Sequence, residues 1–488
     1  MRFQNLTSFI QFLEQRDQLV RITTPVSTEL EITEITDRVC KGPVQHNKAL
    51  LFENVTGYGM PVLINTFGSA QRMAWALGVE DLEELNQRLG ESIDPHLPKG
   101  LKETAGRGRD ILKIVRSIGL KSKTVKNAPV QEITILESPC LSQLPILKCW
   151  PKDGGRFITL PQVITRDPLT GTRNVGMYRL QVLDDQHLLV HWQRHKGGAE
   201  HERSAHALQR PRIPAAVVLG GDPASMWCAS APLPSDLDEY LLSGYLRGSP
   251  VPFITCLSQP LEVPAEAEII IEGFVDPNEH LPEGPFGDHT GYYTPVEPFP
   301  VFHVTAITHR KNPVYPATVV GIPPMEDVWM GKATERLFLP LIRLFLPEIV
   351  DINMPAEGIF HNLVLVSIKK KFPGHAQKVI HGLWGLALLS LAKTIVIFDE
   401  WVDIQDLSQA AWQALGNVDW SRDTLITNGP VDQLDHASTY NSFGGKIGVD
   451  ATAKLPEEGY ERGWPERVSM DSEVKEKVDK IWSQLKLA

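Results

Sequence analysis

Cysteine is scarce in this chain: five residues in 488 (Cys40, Cys140, Cys149, Cys228 and Cys256), widely spaced and never as a C-x-x-C pair. An odd, scattered set excludes a disulfide framework and a zinc ribbon, and it fits a reducing cytoplasm. Blocks of Lys and Arg are missing too, and the net charge is −11. The cationic footprint that nucleic-acid binding requires is therefore absent. Long hydrophobic runs are absent: the most apolar stretch, LWGLALLSLA, spans ten residues, Leu383 to Ala392. A bilayer needs about twenty, so this stretch reads as a buried helix and any membrane contact as peripheral, at the inner face. The opening MRFQNLTSFI lacks the apolar core of a signal peptide, so a cytoplasmic location is expected.

Several strong fingerprints are also missing. There is no G-x-G-x-x-G after a strand, no G-x-x-x-x-G-K-[ST], no H-E-x-x-H and no G-x-S-x-G. GGKIGVD, Gly444 to Asp450, lacks the register of a phosphate loop and reads as a structural loop.

What is present is patterned in three parts, with boundaries at 1–115, 116–325 and 326–488. In the first, Leu6, Phe9, Ile10 and Leu13 form one apolar stripe of a helix that Asn5 can cap. A strand LVRIT, a helix over Leu30 to Val39 and the short runs ALLFE and PVLIN follow. This is an N-terminal α/β segment, trailed by a polar linker with Lys121, Lys123 and Lys126. The middle part is all-β: EITIL, FITLPQVIT, LQVLDDQHLLVHW, AAVVLG, AEIIIEGFV and FHVTAIT are short β-branched runs separated by turn signals. Their spacing predicts a closed or partly closed antiparallel barrel, interrupted by one helix over Ser235 to Leu246 with Leu237, Leu241, Leu242 and Tyr245 on one side. The last part returns to α/β. Helices over Lys332 to Phe345, kinked at Pro340, and Gly374 to Leu391 alternate with strands LVLVSI and TIVIFD. Strand, helix, strand in that order predicts a parallel sheet.

Three polar clusters carry chemistry. EGPFGDHTGYY, residues 283 to 293, holds two carboxylates, Glu283 and Asp288, on a loop that Gly and Pro keep from being helical. Such a pair can do acid–base work, and it can equally cap turns. In NVGMYR, Asn174 to Arg179, strand alternation puts Asn174, Gly176 and Tyr178 on one face and Val175, Met177 and Arg179 on the other. An Arg on the apolar face of a barrel strand demands a carboxylate partner, because an unpaired buried charge is costly; at the barrel rim it needs none. In HWQRHKGG, His191 to Gly198, the flanks read as strand. On a strand the two histidines stand about 13 Å apart at ~3.3 Å per residue, too far for one ion. At most one of them then belongs to any single site. The Lys-Gly-Gly that follows can cradle phosphate or simply end a strand.

Together these clusters resemble the UbiD family of reversible decarboxylases, over nearly the whole length, from LTSFIQFLEQRDQLVRI to LDHAS and GGKIGVDATAK. The most specific motifs are N-x-x-x-[YF]-R, [RH]-W-x-x-H-[RK]-G, the D-E-Y helix and E-G-P-[FY]-G-D-H-T-G. The resemblance implies an α+β and α/β multidomain fold with a central split β-barrel that binds flavin, and a C-terminal α/β domain used for oligomerisation. It implies prenylated FMN as cofactor, in contact with Asn174, Met177, Tyr178, Arg179, His191, Trp192, Gln193, His195, Lys196, Gly197 and Glu239. Asn174, His195 and Glu239 would ligate a divalent ion, typically manganese, with a potassium ion often nearby. Arg179, Glu283 and Asp288 match the family's catalytic Arg and two acids. Two positions depart from other branches: Asp288 stands where they carry Glu, and His191 where some carry Arg.

Losing CO₂ from an aromatic ring leaves a carbanion that side chains alone do not stabilise, so an electron-sink cofactor is required. The acid that returns the proton must hold it at pH 7. From an ordinary Asp pKa near ~3.9, an upward shift of about two units is expected, with burial beside Glu283 raising the value and Arg179 opposing. Within the family the sequence resembles the quinone-biosynthesis branch, which acts on either a 4-hydroxy-3-polyprenylbenzoate or a dihydroxynaphthoate, and its ending resembles the menaquinone-type members, those of the dihydroxynaphthoate, somewhat more. VVGIPP, Val319 to Pro324, is the stretch where a polyprenyl groove is sought. The implied partners are the aromatic acid, a flavin prenyltransferase that supplies the cofactor, and further copies of the chain as a homodimer or homohexamer. The competing readings are a flavin-reductase-like split barrel doing redox chemistry, a decarboxylase of another unsaturated acid, and a non-catalytic paralogue.

Overall fold

The computed structural model describes residues 2–93, 123–234, 237–360, 362–460 and 462–485. Lys121 of the expected linker, the boundary expected at 115 and 116, and the first two residues of the expected helix at 235 lie outside that range.

The first helix, Leu6–Gln15, forms where its stripe predicts: Leu6, Phe9, Ile10 and Leu13 are its buried residues. Asn5 and Ser8 satisfy its open N–H groups reciprocally. The Ser8 N–H donates to Asn5 Oδ1 (3.0 Å) and the Asn5 N–H to Ser8 Oγ (3.2 Å). Behind it, strands Leu19–Ile22, Ala49–Phe52 and Val62–Ile64 make a sheet whose fourth member, Tyr315–Pro316, comes from beyond the barrel. The N-terminal unit and the barrel share one core. Val26, Ile32, Phe52 and Ile64 pack in the same cluster as Val163, Leu188, Val217, Ile271 and Phe302.

The middle part is a nine-stranded sheet among the described residues. Its long hairpin, Ile269–Glu283 with Glu297–His309, is central, and Phe157–Ile158 lies at one end of the order. Pro161–Arg166 lies next to the other end, beside Arg173–Gly176. Only Thr159 and Leu160 join Phe157–Ile158 to Pro161–Arg166, a reach of about 10 Å at ~3.3 Å per residue. Strands that far apart in the hydrogen-bonding order can be that near in space only if the sheet curls round on itself. The barrel expected from the β-branched runs is therefore present.

The helix expected over 235–246 is Glu239–Arg247, ended by Gly248 in the left-handed region (φ 67°), and it is not the single interruption expected, since Gly197–Ala207 and Pro223–Cys228 also lie between barrel strands. Its buried residues are Tyr240, Ser243, Gly244 and Leu246, not the expected stripe; Leu237 precedes the helix and is 49% exposed. Asp238 caps the helix, accepting from the Tyr240 N–H (2.9 Å), and Tyr240 packs against Phe253 (ring centroids 5.3 Å apart).

In the C-terminal part, Leu363–Ile368, Thr394–Asp399 and Phe443–Asp450 pair in parallel, with antiparallel edges Ile349–Asn353 and Thr424–Pro430. GGKIGVD is thus a central strand and not a loop. Its glycines are there for packing: a Cβ on Gly448 would lie 2.7 Å from Ile380 of the helix above it. The expected helix to Leu391 ends instead at Trp384, capped by Gly385, and Ala387–Leu391 form a 3₁₀ turn. The helix expected from Lys332 begins earlier and runs Glu326–Phe345 through Pro340. Glu326 pins its first turn to both other parts, accepting from Phe67 N–H (2.6 Å) and Thr318 Oγ1 (2.8 Å).

Trp227 joins the parts further. Its side chain is fully buried and Nε1 donates to Met330 O at 3.0 Å. Trp227→Ala is expected to cost about 3–5 kcal/mol, read as a lowered denaturation midpoint. Among the described residues no helix is long and apolar enough to cross a membrane.

Candidate active site

Strand Arg173–Gly176 stops short of Arg179, because Tyr178 folds back. Its hydroxyl accepts from Asn174 Nδ2 (3.3 Å) and from the Gly198 N–H (3.1 Å). The Met177 N–H leaves the sheet to donate to Ala229 O (2.8 Å). Arg179 then enters the barrel from a connection rather than from a strand face, and the carboxylate partners that its burial demands are both present.

Arg179 Nε donates to Glu283 Oε1 (2.8 Å) and Nη2 to Glu283 Oε2 (3.1 Å), a two-pronged pair. Nη1 pairs with Asp288 Oδ2, and Nη2 also reaches Thr294 Oγ1 at 3.2 Å. The guanidinium lies 4.6 Å from the centre of the Phe286 ring. All three charged side chains are buried: Arg179 8%, Glu283 0% and Asp288 8% exposed. The loop carrying the acids is tied down at both ends, by Gly284 N–H to Gln181 Oε1 (2.7 Å) and Gly287 N–H to Asp153 Oδ1 (2.8 Å).

The electrostatics of this cluster correct one expectation. Burial does push both carboxyls upward, but it loses. The His191 hydrogen bond and the Arg179 charge bring Glu283 down to about 2. The charge and hydrogen bonds of His289, with Arg179, hold Asp288 well below the usual carboxylate range. Asp288 in this arrangement is a carboxylate, not a stored acid.

Two histidines flank the acids. His191 Nδ1 lies 3.1 Å from Glu283 Oε2, its ring 4.2 Å from Phe299, and burial with the nearby Arg179 charge holds its imidazole below its ordinary value. His289, quoted with the acid motif but given no role by sequence reasoning, donates from its backbone N–H (2.7 Å) to Asp288 Oδ1, with Nδ1 2.8 Å from the same oxygen. Burial opposes its charge, yet Asp288 raises it to about 8, with Asp327 and Asp432 adding to the shift. Thr294, Gln181, Asp153 and Asp327 were also missed. Thr294 directly follows the acid motif, while Gln181, Asp153 and Asp327 lie away from it and carry no local signal.

On the other side of Tyr178 the remaining sequence-derived residues gather round a helix start. The strand expected through His195 ends at Val190, and a turn over Gln193–Lys196 leads into helix Gly197–Ala207. The strand spacing used for His191 and His195 therefore does not apply, although they do part: His191 is buried and His195 exposed. A Cβ on Gly197 would lie 2.0 Å from Asn174 Oδ1, so the Asn174 amide rests against the first turn. Glu239 Oε2 accepts from the Val175 N–H (2.9 Å), and burial pushes its carboxyl up to about 7. The Arg173 side chain is spent on its neighbour Asp238 (Nε to Oδ2, 2.8 Å). His191 Nε2 and Trp192 Nε1 are buried with no hydrogen-bond partner. Burial holds Lys196 below its ordinary value. Among the described residues no three His, Cys, Asp or Glu side chains converge as a metal cluster; the expected set has only two such residues, with an amide as third donor.

Val319 of VVGIPP is buried, while Ile322 is 63% exposed beside the acid loop. Pro323 joins His289, Asp327, Met354 and Phe360 around a small hollow between barrel and C-terminal part. A larger hollow of about 660 Å³, near Ile10, Arg21 and His309, shares no residue with the acid cluster.

Three stretches match family models in chain order. Residues 10–89 match the 3-octaprenyl-4-hydroxybenzoate carboxy-lyase N-terminal domain, 122–323 its Rift-related domain and 328–451 its C-terminal domain. The chain belongs to the UbiD family. It is a UbiD-type decarboxylase, and its N-terminal, central β-sheet and C-terminal parts follow the UbiD fold. An uncharacterized protein of Aquifex aeolicus (strain VF5) is 52% identical over 99% of both chains. The closed form of vanillic acid decarboxylase from Sedimentibacter hydroxybenzoicus superposes with a TM-score of 0.87 at 27% identity, covering 100% of each chain. An evolved dimeric form of the UbiD-class enzyme HmfF from Pelotomaculum thermopropionicum, in complex with prFMN, superposes at 0.79 with 27% identity, covering 97% of this chain and 98% of its own.

Proposed function

We propose that this UbiD-type decarboxylase removes CO₂ from an aromatic carboxylic acid, with Arg179 orienting the substrate carboxylate and Asp288, beside Glu283, returning a proton to the ring carbon. The observation that carries this is the division of one buried guanidinium between two carboxylates. Glu283 holds Arg179 by two prongs and Asp288 by one. An incoming carboxylate can take the Nη1 prong from Asp288 while Glu283 keeps the guanidinium in place. Asp288, having lost a cation, then binds a proton more readily. Thr294 and Phe286 fix the plane of the fork, and burial keeps water from competing for it.

Prenylated FMN fits the cleft residues assigned from the sequence. Trp192 Nε1 is a buried donor and His191 Nε2 a buried ring nitrogen, both without partners, and Lys196 stands at a helix start where a phosphate is favoured. Asn174, His195 and Glu239 would hold a divalent ion. Their oxygen and imidazole donors suit manganese. When bound, the flavin would supply the electron sink for the charge left by the broken carbon–carbon bond. The units 1–115, 116–325 and 326–488 are proposed as the N-terminal, cofactor-binding and C-terminal domains.

The deciding experiment is to purify the chain after co-expression with a flavin prenyltransferase and measure CO₂ release. Its substrate arms are a 4-hydroxy-3-polyprenylbenzoate, a dihydroxynaphthoate and vanillate, the last for the Sedimentibacter relative. Release from at least one acid, dependent on the modified flavin, is expected. A flavin-loaded protein that releases none but turns over a nicotinamide reductant belongs to the redox reading instead. Gly197→Ala, which drives a methyl into the Asn174 amide, is expected to weaken flavin retention by about tenfold or more while the fold persists. Flavin fluorescence and a thermal melt check it together.

A further inference from the structure

Decarboxylation consumes one proton per turnover: the carboxylate leaves as CO₂ and the carbon gains a hydrogen. Neither acid of the cluster stores that proton, since Arg179 and the neighbouring histidines keep both ionised. Each oxygen of Asp288 has a defined neighbour. Oδ2 faces Arg179, which does not release protons. Oδ1 faces the His289 backbone N–H and the His289 ring Nδ1, at 2.7 and 2.8 Å. The imidazole is the titratable group there. His191 does not substitute for it: it contacts Glu283 rather than Asp288, and it is held in its neutral form.

We propose that His289 is the proton store that reloads Asp288 in each turnover, passing its Nδ1 proton to Asp288 Oδ1. The proposal rests on the reading of Asp288 as the group that protonates the ring carbon. In balance, Nδ1–H breaks as Asp288 O–H forms, leaving a neutral imidazole protonated at Nε2. Asp288 then gives that proton to the carbon, and His289 recovers one from solvent. Its side chain, 19% exposed, is within reach of water.

The surroundings suit a store. The charged groups facing the ring are Asp288 on its own loop, Asp327 on helix Glu326–Phe345 and Asp432 on the segment before Phe443–Asp450. Arg179 lies on the far side of Asp288. The Phe360 ring lies 5.5 Å away, lining the same small hollow as His289. The three carboxyls are why the imidazole keeps its proton up to about pH 8.

The test is His289→Asn, which leaves an amide N–H near the position of Nδ1 but no proton to give. With the flavin-loaded full chain, kcat is expected to fall by about 100-fold or more. Wild-type kcat should decline as pH rises through about 8, the variant should lose that step, and added imidazole should restore turnover in proportion to its concentration. Independently of turnover, NMR of the cofactor-free chain with labelled histidines should show the His289 ring titrating near pH 8 and moving lower in Asp288→Asn. Unchanged kcat and pH profile in His289→Asn, or a loss that imidazole does not restore, overturns the proposal. A wild-type protein that releases no CO₂ from any acid, yet shows the NMR midpoint, overturns instead the reaction assignment on which the proposal rests.

Discussion

Arg179→Ala is expected to lower kcat by at least about 10²- to 10³-fold and to cost roughly 3–5 kcal/mol of stability at neutral pH. Both effects have one origin. The substitution removes the only cation that the described structure pairs with Glu283 other than a histidine, and it leaves two carboxylates buried together. Each must then take up a proton or stay charged without compensation. The pH dependence gives the sign. Glu283 and Asp288 have depressed folded-state values, about 2 for Glu283. Their pairing energy is therefore fully present above the ordinary carboxylate range and is lost as pH falls toward 2. The stability gap between wild type and Arg179→Ala should be widest near neutral pH and close on acidification. Denaturation midpoints across pH measure it, and a gap that does not narrow would sink the assignment. Arg179→Lys should recover part of the stability but little turnover, because an ammonium lacks the planar fork that spans two carboxylates.

Asp288→Asn should retain flavin and lose turnover, by about 10²- to 10⁴-fold. The amide matches the carboxyl in shape, so the loop that Gly284 and Gly287 anchor is kept, and of the cofactor residues Asp288 pairs with Arg179, which Glu283 still holds by two prongs. What disappears is the single group poised to take the proton from His289 and give it up. Glu283→Gln should differ in kind: it removes the two-pronged hold on Arg179 and should weaken substrate binding as well as kcat. Near-normal CO₂ release by Asp288→Asn would contradict the proton-donor role outright.

Local pattern made much of this legible. The stripe of Leu6, Phe9, Ile10 and Leu13, the β-branched runs of the barrel and the strands LVLVSI and TIVIFD follow from periodicities that packing reinforces. Arg179 was legible as a residue in need of a carboxylate, since burying an unpaired guanidinium is too costly to persist. The failures share a cause, contacts made over long sequence separations. GGKIGVD reads as a structural loop until helix His375–Trp384 lies across it and excludes side chains larger than hydrogen at Gly448. The strand through HWQRHKGG is the exception, ending at Val190 for a local reason, the turn that leads into helix Gly197–Ala207.

The charge state of Asp288 shows the same division most sharply. From its sequence alone the chain determined that an acid pair sits on a loop of set geometry, that Arg179 needs a carboxylate if it faces the barrel interior, and that the motifs are those of a UbiD decarboxylase. Only the tertiary structure decided which way the acids titrate. Adjacent carboxyls in a dry pocket should rise, but Arg179 reaches Asp288 across 109 residues, and Asp327 and Asp432 arrive from the C-terminal part to keep His289 charged. A pKa is set by the net field of every group brought near, and that field exists only once the chain has folded.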